Sequence, residues 1–126
     1  MVPTDLRYTT DHEWVRVEGD GAIIGITAYA ADQLGDIVFV ELPDVGRSLE
    51  QFMAFGVIES VKAVSDLLAP VGGEVVETNP ALGGQPELVN SEPYEGGWLV
   101  RVRLADAGQL DELLGPDAYD ALIAAG

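Results

Sequence analysis

No apolar run in this chain exceeds a few residues, and nearly every one is closed by Gly, Pro, Asn or Asp. Runs of that length fit strands, and punctuation at that spacing joins them through tight turns. "HEWVRVEGDGAIIGIT" therefore reads as a hairpin: Trp14, Val15 and Val17 lead into Glu18-Gly19-Asp20-Gly21, and Ala22 to Ile26 is again strand-like. Thr27 can cap a short helix over "AYAADQL", with Gly35 at its left-handed end. "DIVFVELP" resumes a strand up to Pro43, and "DVGRSLEQFM" carries the chain around. "GGEVVETN" is a further strand, residues 79–85 a loop, and "GWLVRVRL" an alternating strand.

The period changes near the end. Asp106 with Gln109 resembles a capping box ahead of Leu110, Leu113 and Leu114 at helical spacing. Gly115 stops that helix, and Pro116 opens another in which Tyr119, Leu122 and Ile123 share a face. The expectation is a single domain over residues 1–126, mainly β, a small sandwich or barrel with a short internal helix and a C-terminal helical segment over about 106–125.

The stretch "FGVIESVKAVSDLLAPVGG" is roughly mirror-like about Lys62, the one lysine in 126 residues. Strand residues Phe55–Ile58 and Leu67–Leu68 flank the polar pairs Glu59-Ser60 and Ser65-Asp66, and the tip is Val61-Lys62-Ala63. A hairpin over about 55–70 would hold the amine at an exposed apex rooted in the core. Gly72-Gly73 then lets the chain turn where strands pack closely. An ordinary solvated lysine is one reading. An attachment point is the other: an exposed ammonium near pKa ~10.4 is a poor nucleophile at neutral pH, whereas a long stem on a rigid hairpin suits a tethered group carrier.

Composition excludes several classes. There is no cysteine, hence no disulfide, thiolate metal site or thiol nucleophile, and any redox sulfur must be borrowed. Six basic against twenty-two acidic residues give a net charge of −16, which repels nucleic acid and anionic membrane. Neither a signal peptide nor a spanning run is evident, so a cytoplasmic location is expected. His12 is the only histidine, which leaves no histidine-based metal cluster, and no serine sits in a nucleophile elbow. Gly19, Gly21 and Gly25 lack dinucleotide spacing and precede a strand. Trp14 and Trp98 read as core or rim aromatics, and Asn90 and Pro93 as turn-shaping residues.

"ESVKAVSDLLAPVGGEV" resembles the lipoyl-lysine segment of glycine cleavage H proteins. "HEWVRVEGDGAIIGIT", "QLGDIVFVELPDVG" and "LVNSEPYEGGWLVRV" are similar to further stretches of that family, in its order. Biotin carriers more typically place methionines beside their lysine, where Val61 and Ala63 stand here, and 2-oxo-acid dehydrogenase lipoyl domains are shorter.

The resemblance implies a barrel-sandwich hybrid and lipoate in amide linkage to Lys62 Nζ, with no catalytic residue and no metal. It also implies a cycle of partners. A pyridoxal-phosphate glycine decarboxylase loads the aminomethyl group, and a tetrahydrofolate-dependent aminomethyltransferase unloads it. Dihydrolipoamide dehydrogenase reoxidises the arm, and lipoate-attaching enzymes install it. An H-like protein serving as lipoyl donor, or a β-rich binding module with an incidental lysine, are the alternatives. The resemblance further implies a shallow cleft that shelters the loaded arm. Glu13 is a candidate acceptor for its amine, or else a solvated strand-end glutamate.

Overall fold

The computed structural model describes residues 2–125. The predicted first hairpin forms as β2 (Glu13–Glu18) and β3 (Gly21–Ile26), paired in register from Glu13↔Ile26 to Glu18↔Gly21. Its turn uses Gly19 at a φ of 61°, a left-handed conformation that glycine adopts without steric cost. Trp14 lies opposite Gly25, and a Cβ there would come within 2.5 Å of the indole, so the glycine makes room for the ring. Thr27 caps α1 (Ala28–Leu34) by accepting from Ala30 N, and Gly35, at a φ of 83°, ends it.

The remaining strands are β1 (Arg7–Tyr8), β4 (Ile37–Glu41), β5 (Ser48–Leu49), β6 (Ala54–Ser60), β7 (Val64–Leu68), β8 (Gly73–Thr78) and β9 (Val100–Leu104). They form two antiparallel sheets: six strands in the order β1-β2-β3-β9-β8-β5, and three in the order β4-β6-β7. The fold is mainly β, as expected, with the strands in two separate hydrogen-bonded ladders. Val15, Ile24, Phe55, Ile58, Leu67, Val75 and Val102 meet in the core between them. Burying side chains of this kind contributes roughly 1.5–3 kcal/mol each before chain entropy is counted. Tyr8, Trp14, Ile23 and Tyr119 form a second cluster, joining the larger sheet to α3 (Pro116–Ala125).

Three local expectations are corrected. Residues 79–85 contain a 3₁₀ turn over Pro80–Gly83, capped by Asn79, and one helical turn, α2 (Leu88–Ser91), precedes Pro93. The segment after Asp106 is a 3₁₀ helix over Ala107–Glu112. Asp106 does accept from Gly108 N, but the Gln109 side chain accepts from Gly72 N and does not complete a capping box. That long-range bond, together with the pairing of Leu114 to Tyr8, draws the segment out of α-helical geometry. No helix of the described residues is long and apolar enough to cross a membrane.

Candidate functional site

Strands β6 and β7 form the hairpin that the mirror-like pattern predicts, with Val57↔Asp66, Ile58↔Ser65 and Glu59↔Val64 in register. The apex is locked by its own polar residue. Ser60 Oγ accepts from Ala63 N at 3.0 Å and Lys62 N at 3.3 Å, and Ser60 N donates to Ala63 O. Val61 N donates to Asp36 O at 3.0 Å, tying the tip to the α1–β4 connection. Asn90 braces that connection, accepting from Ile37 N and donating to Gly35 O, each at 2.9 Å. Asn90 therefore does more than shape its own turn.

Lys62 is exposed at this braced tip. Its stem passes over Gly35, where a Cβ would lie 3.4 Å from Lys62 Cε. Among the described residues, no carboxylate pairs with its Nζ. Val61 and Val64 beside it are 70% and 68% exposed. On the outward face, the row Phe39–Glu59–Val64 lies next to Glu41–Val57–Asp66, so apolar and acidic side chains alternate.

β7 is an edge strand, and its far end meets Glu13. Glu13 is 3% exposed, which overturns the reading of a solvated strand-end glutamate. Its Oε1 accepts from the Thr9 hydroxyl at 2.6 Å and its Oε2 from Leu68 N at 3.3 Å. Burial pushes the carboxyl up to about 7; the Thr9 and Leu68 hydrogen bonds pull the other way, and the charge of Asp11 adds to the rise. A carboxylate has about four lone-pair positions, so two donors leave room for a third.

The turn that carries Glu13 is held from several sides. His12 has a φ of 74°, unusual for a residue with a side chain, and its carbonyl accepts from Thr27 N at 2.9 Å. Its Nδ1 lies 2.8 Å from the Tyr119 hydroxyl, which lies 2.8 Å from Thr27 Oγ1. Tyr119 stacks on Tyr8 with centroids 4.6 Å apart. Burial lowers the His12 pKa and pushes the Tyr119 phenol up to about 12. The structure places Lys62 at the exposed tip and Glu13 buried at the far end of β7; sequence reasoning did not single out Thr9, Leu68 or Tyr119 around Glu13, because their contacts depend on residues far along the chain.

Other features carry less chemistry. A groove of about 340 Å³ on the larger sheet is lined by Arg101 and Arg103, but Glu18, Glu77 and Glu74 already engage both guanidinium groups. Trp14 is fully buried, its Nε1 donating to Pro93 O, and Trp98 is half-buried with Arg101 near its ring, so both are structural aromatics. Among the described residues, no three His, Cys, Asp or Glu side chains gather as metal ligands would.

Residues 6–125 match the family described as "Glycine cleavage H-protein". A glycine cleavage system H protein of Phenylobacterium zucineum is 60% identical over 119 residues, covering 94% of this chain and 98% of that one. One from Symbiobacterium thermophilum is 55% identical over 125 residues, covering 99% and 98%. The crystal structure of a glycine cleavage system H protein from Mycobacterium marinum superposes with a TM-score of 0.90 at 40% identity, covering 98% of this chain and 99% of the other.

Proposed function

This chain belongs to the glycine cleavage H-protein family, and on that premise we propose that Lys62 is the residue through which it acts as a lipoyl carrier. The observation that carries the assignment is the braced tip: an exposed amine, with no carboxylate partner among the described residues, on a hairpin fixed at Ser60 and Asp36. The residues suit the group. Acylation removes a charge that no neighbouring carboxylate would then miss, and the rigid root leaves the stem as the moving part. Bound lipoate would supply the disulfide that takes up the aminomethyl group and the dithiol that is later reoxidised, chemistry a cysteine-free chain cannot provide.

The chain's own contribution is to present, shelter and dock. Lys62 presents the arm to glycine decarboxylase, the aminomethyltransferase and dihydrolipoamide dehydrogenase in turn, and to the enzymes that attach lipoate, without itself catalysing a step. A cytoplasmic location, where folate and nicotinamide acceptors are available, belongs to the same reading. We assign the shelter to Glu13. From Val64 to Leu68 the edge strand spans about 13 Å at about 3.3 Å per residue, comparable to a lysine stem lengthened by an eight-carbon acyl chain. At its end a carboxylate, shielded from water, can accept from a protonated amine with charge assistance. The alternating apolar and acidic rows beside Lys62 supply a contact face for partners.

Lys62→Arg tests the assignment. The exposed substitution should leave stability within about 0.5 kcal/mol of wild type and abolish glycine cleavage in the reconstituted system. Retained activity would remove Lys62 from its role. Cleavage lost through unfolding would show that the residue is structural. Wild-type protein that passes lipoyl groups to other enzymes yet fails to support cleavage would favour the lipoyl-donor reading.

A further inference from the structure

Thr9 is 4% exposed and stands one turn before Glu13. Its hydroxyl oxygen accepts from Asp11 N at 3.2 Å and from Glu13 N at 3.1 Å. A hydroxyl has two acceptor positions and one proton. With both acceptor positions taken by backbone N–H groups, the proton is left for Glu13 Oε1, 2.6 Å away. The direction of that bond is therefore fixed: Thr9 donates and Glu13 accepts.

The other carboxylate oxygen also faces a donor, Leu68 N. A proton on Oε1 would meet a hydroxyl with no lone pair to offer, and one on Oε2 would meet an amide hydrogen. The pocket is thus built for the charged form of a group that its burial disfavours. The titratable groups acting on Glu13 are Asp11 from its own turn and Tyr119 from α3, while β7 contributes the Leu68 N–H. The turn cannot easily yield, since Thr9 N donates to Glu13 O and His12 N to Thr9 O within it.

We propose that Thr9 is a positioning residue for the carrier's amine site: by donating to Oε1 it keeps Glu13 ionised and turned toward the end of β7, where the protonated aminomethyl group is received. This rests on the assignment of Glu13 as the sheltering carboxylate. Thr9, itself buried, acts through Glu13.

The test uses full-length protein in four forms: wild type, Thr9→Val, Thr9→Ser and Glu13→Ala. The Glu13 side-chain carboxyl carbon is titrated by NMR. Each lipoylated form is then loaded with the aminomethyl group, freed of decarboxylase, and followed for ammonia release near pH 7. Losing one hydrogen bond to a charged group should raise the titration midpoint by about one pH unit in Thr9→Val. From a midpoint of about 7, the ionised fraction at pH 7 then falls about five-fold, and ammonia release should rise by a similar factor.

Thr9→Ser, which keeps the hydroxyl, should restore both values. An unchanged midpoint in Thr9→Val, or a Thr9→Ser protein that behaves like Thr9→Val, overturns the proposal. If Thr9→Val does not fold, the wild-type Thr9 Cβ resonance decides, because it must titrate together with the Glu13 carboxyl. A flat Thr9 signal overturns the proposal just as firmly. Glu13→Ala judges the underlying assignment separately. Ammonia release at the wild-type rate there, alongside a shifted midpoint in Thr9→Val, would mean that Thr9 governs Glu13 but Glu13 does not shelter the amine.

Discussion

A carboxyl held at about 7 in the folded chain and near 4.5 in the unfolded one makes stability depend on pH. Between those values the folded state binds more protons, so the Glu13 contribution is fully present below about 4.5 and is lost as pH rises through about 7. The shift corresponds to on the order of 3 kcal/mol. In urea unfolding at a series of pH values, Glu13→Gln should gain on wild type by about that amount between pH 4.5 and pH 8. A difference that stays constant with pH would mean that Glu13 does not titrate as a buried acid. Lys62 stands out in the sequence because it has no rival lysine, and Glu13 because it lies in a family-like "HEWVRV". Thr9 was not legible. Its neighbours Thr4 and Thr10 look the same in sequence, and only the left-handed turn at His12 brings its hydroxyl onto the carboxylate.

Among the elements, α3 is attached by polar bonds as well as by packing. Tyr119 stacks on Tyr8 and reaches His12 and Thr27 through a single hydroxyl, while Asp120 accepts from Val2 N. Tyr119→Phe keeps the stacked ring and leaves the buried Thr27 hydroxyl and the His12 ring without their shared partner. A loss of about 1–2 kcal/mol in urea unfolding is expected, with the helix content of the circular dichroism spectrum unchanged. A loss below about 0.5 kcal/mol would show that packing alone holds α3. The strands with clear alternation, apolar runs or Gly and Pro punctuation, β2, β3, β4, β6, β7, β8 and β9, could be read from sequence. β1 and β5 are two residues each and carry no period to detect. The segment after Asp106 has helical leucine spacing, yet Gln109 is claimed by Gly72 and Leu114 by Tyr8, so tertiary bonds override the local pattern.

At the scale of the whole molecule, acids outnumber cations throughout the chain. Arg16, Arg101 and Arg103 lie on the larger sheet; Arg101 and Arg103 pair with Glu18, Glu77 and Glu74 of that sheet, and Arg16 with Asp5 and Glu95 outside it. From residue 28 to residue 68, which includes the hairpin sheet, seven acids stand against Arg47 and Lys62. Acylation of Lys62 takes the formal charge from −16 to −17 and leaves Arg47 as the one cation of that stretch. All of this depends on the modification being at the tip, and peptide mass mapping of protein from a lipoate-competent cell addresses that directly. The fragment containing Lys62 should carry the mass of one lipoyl group, and protein with Lys62→Arg should carry none. An unmodified Lys62 in active, native-source protein would contradict the assignment of the carrier site.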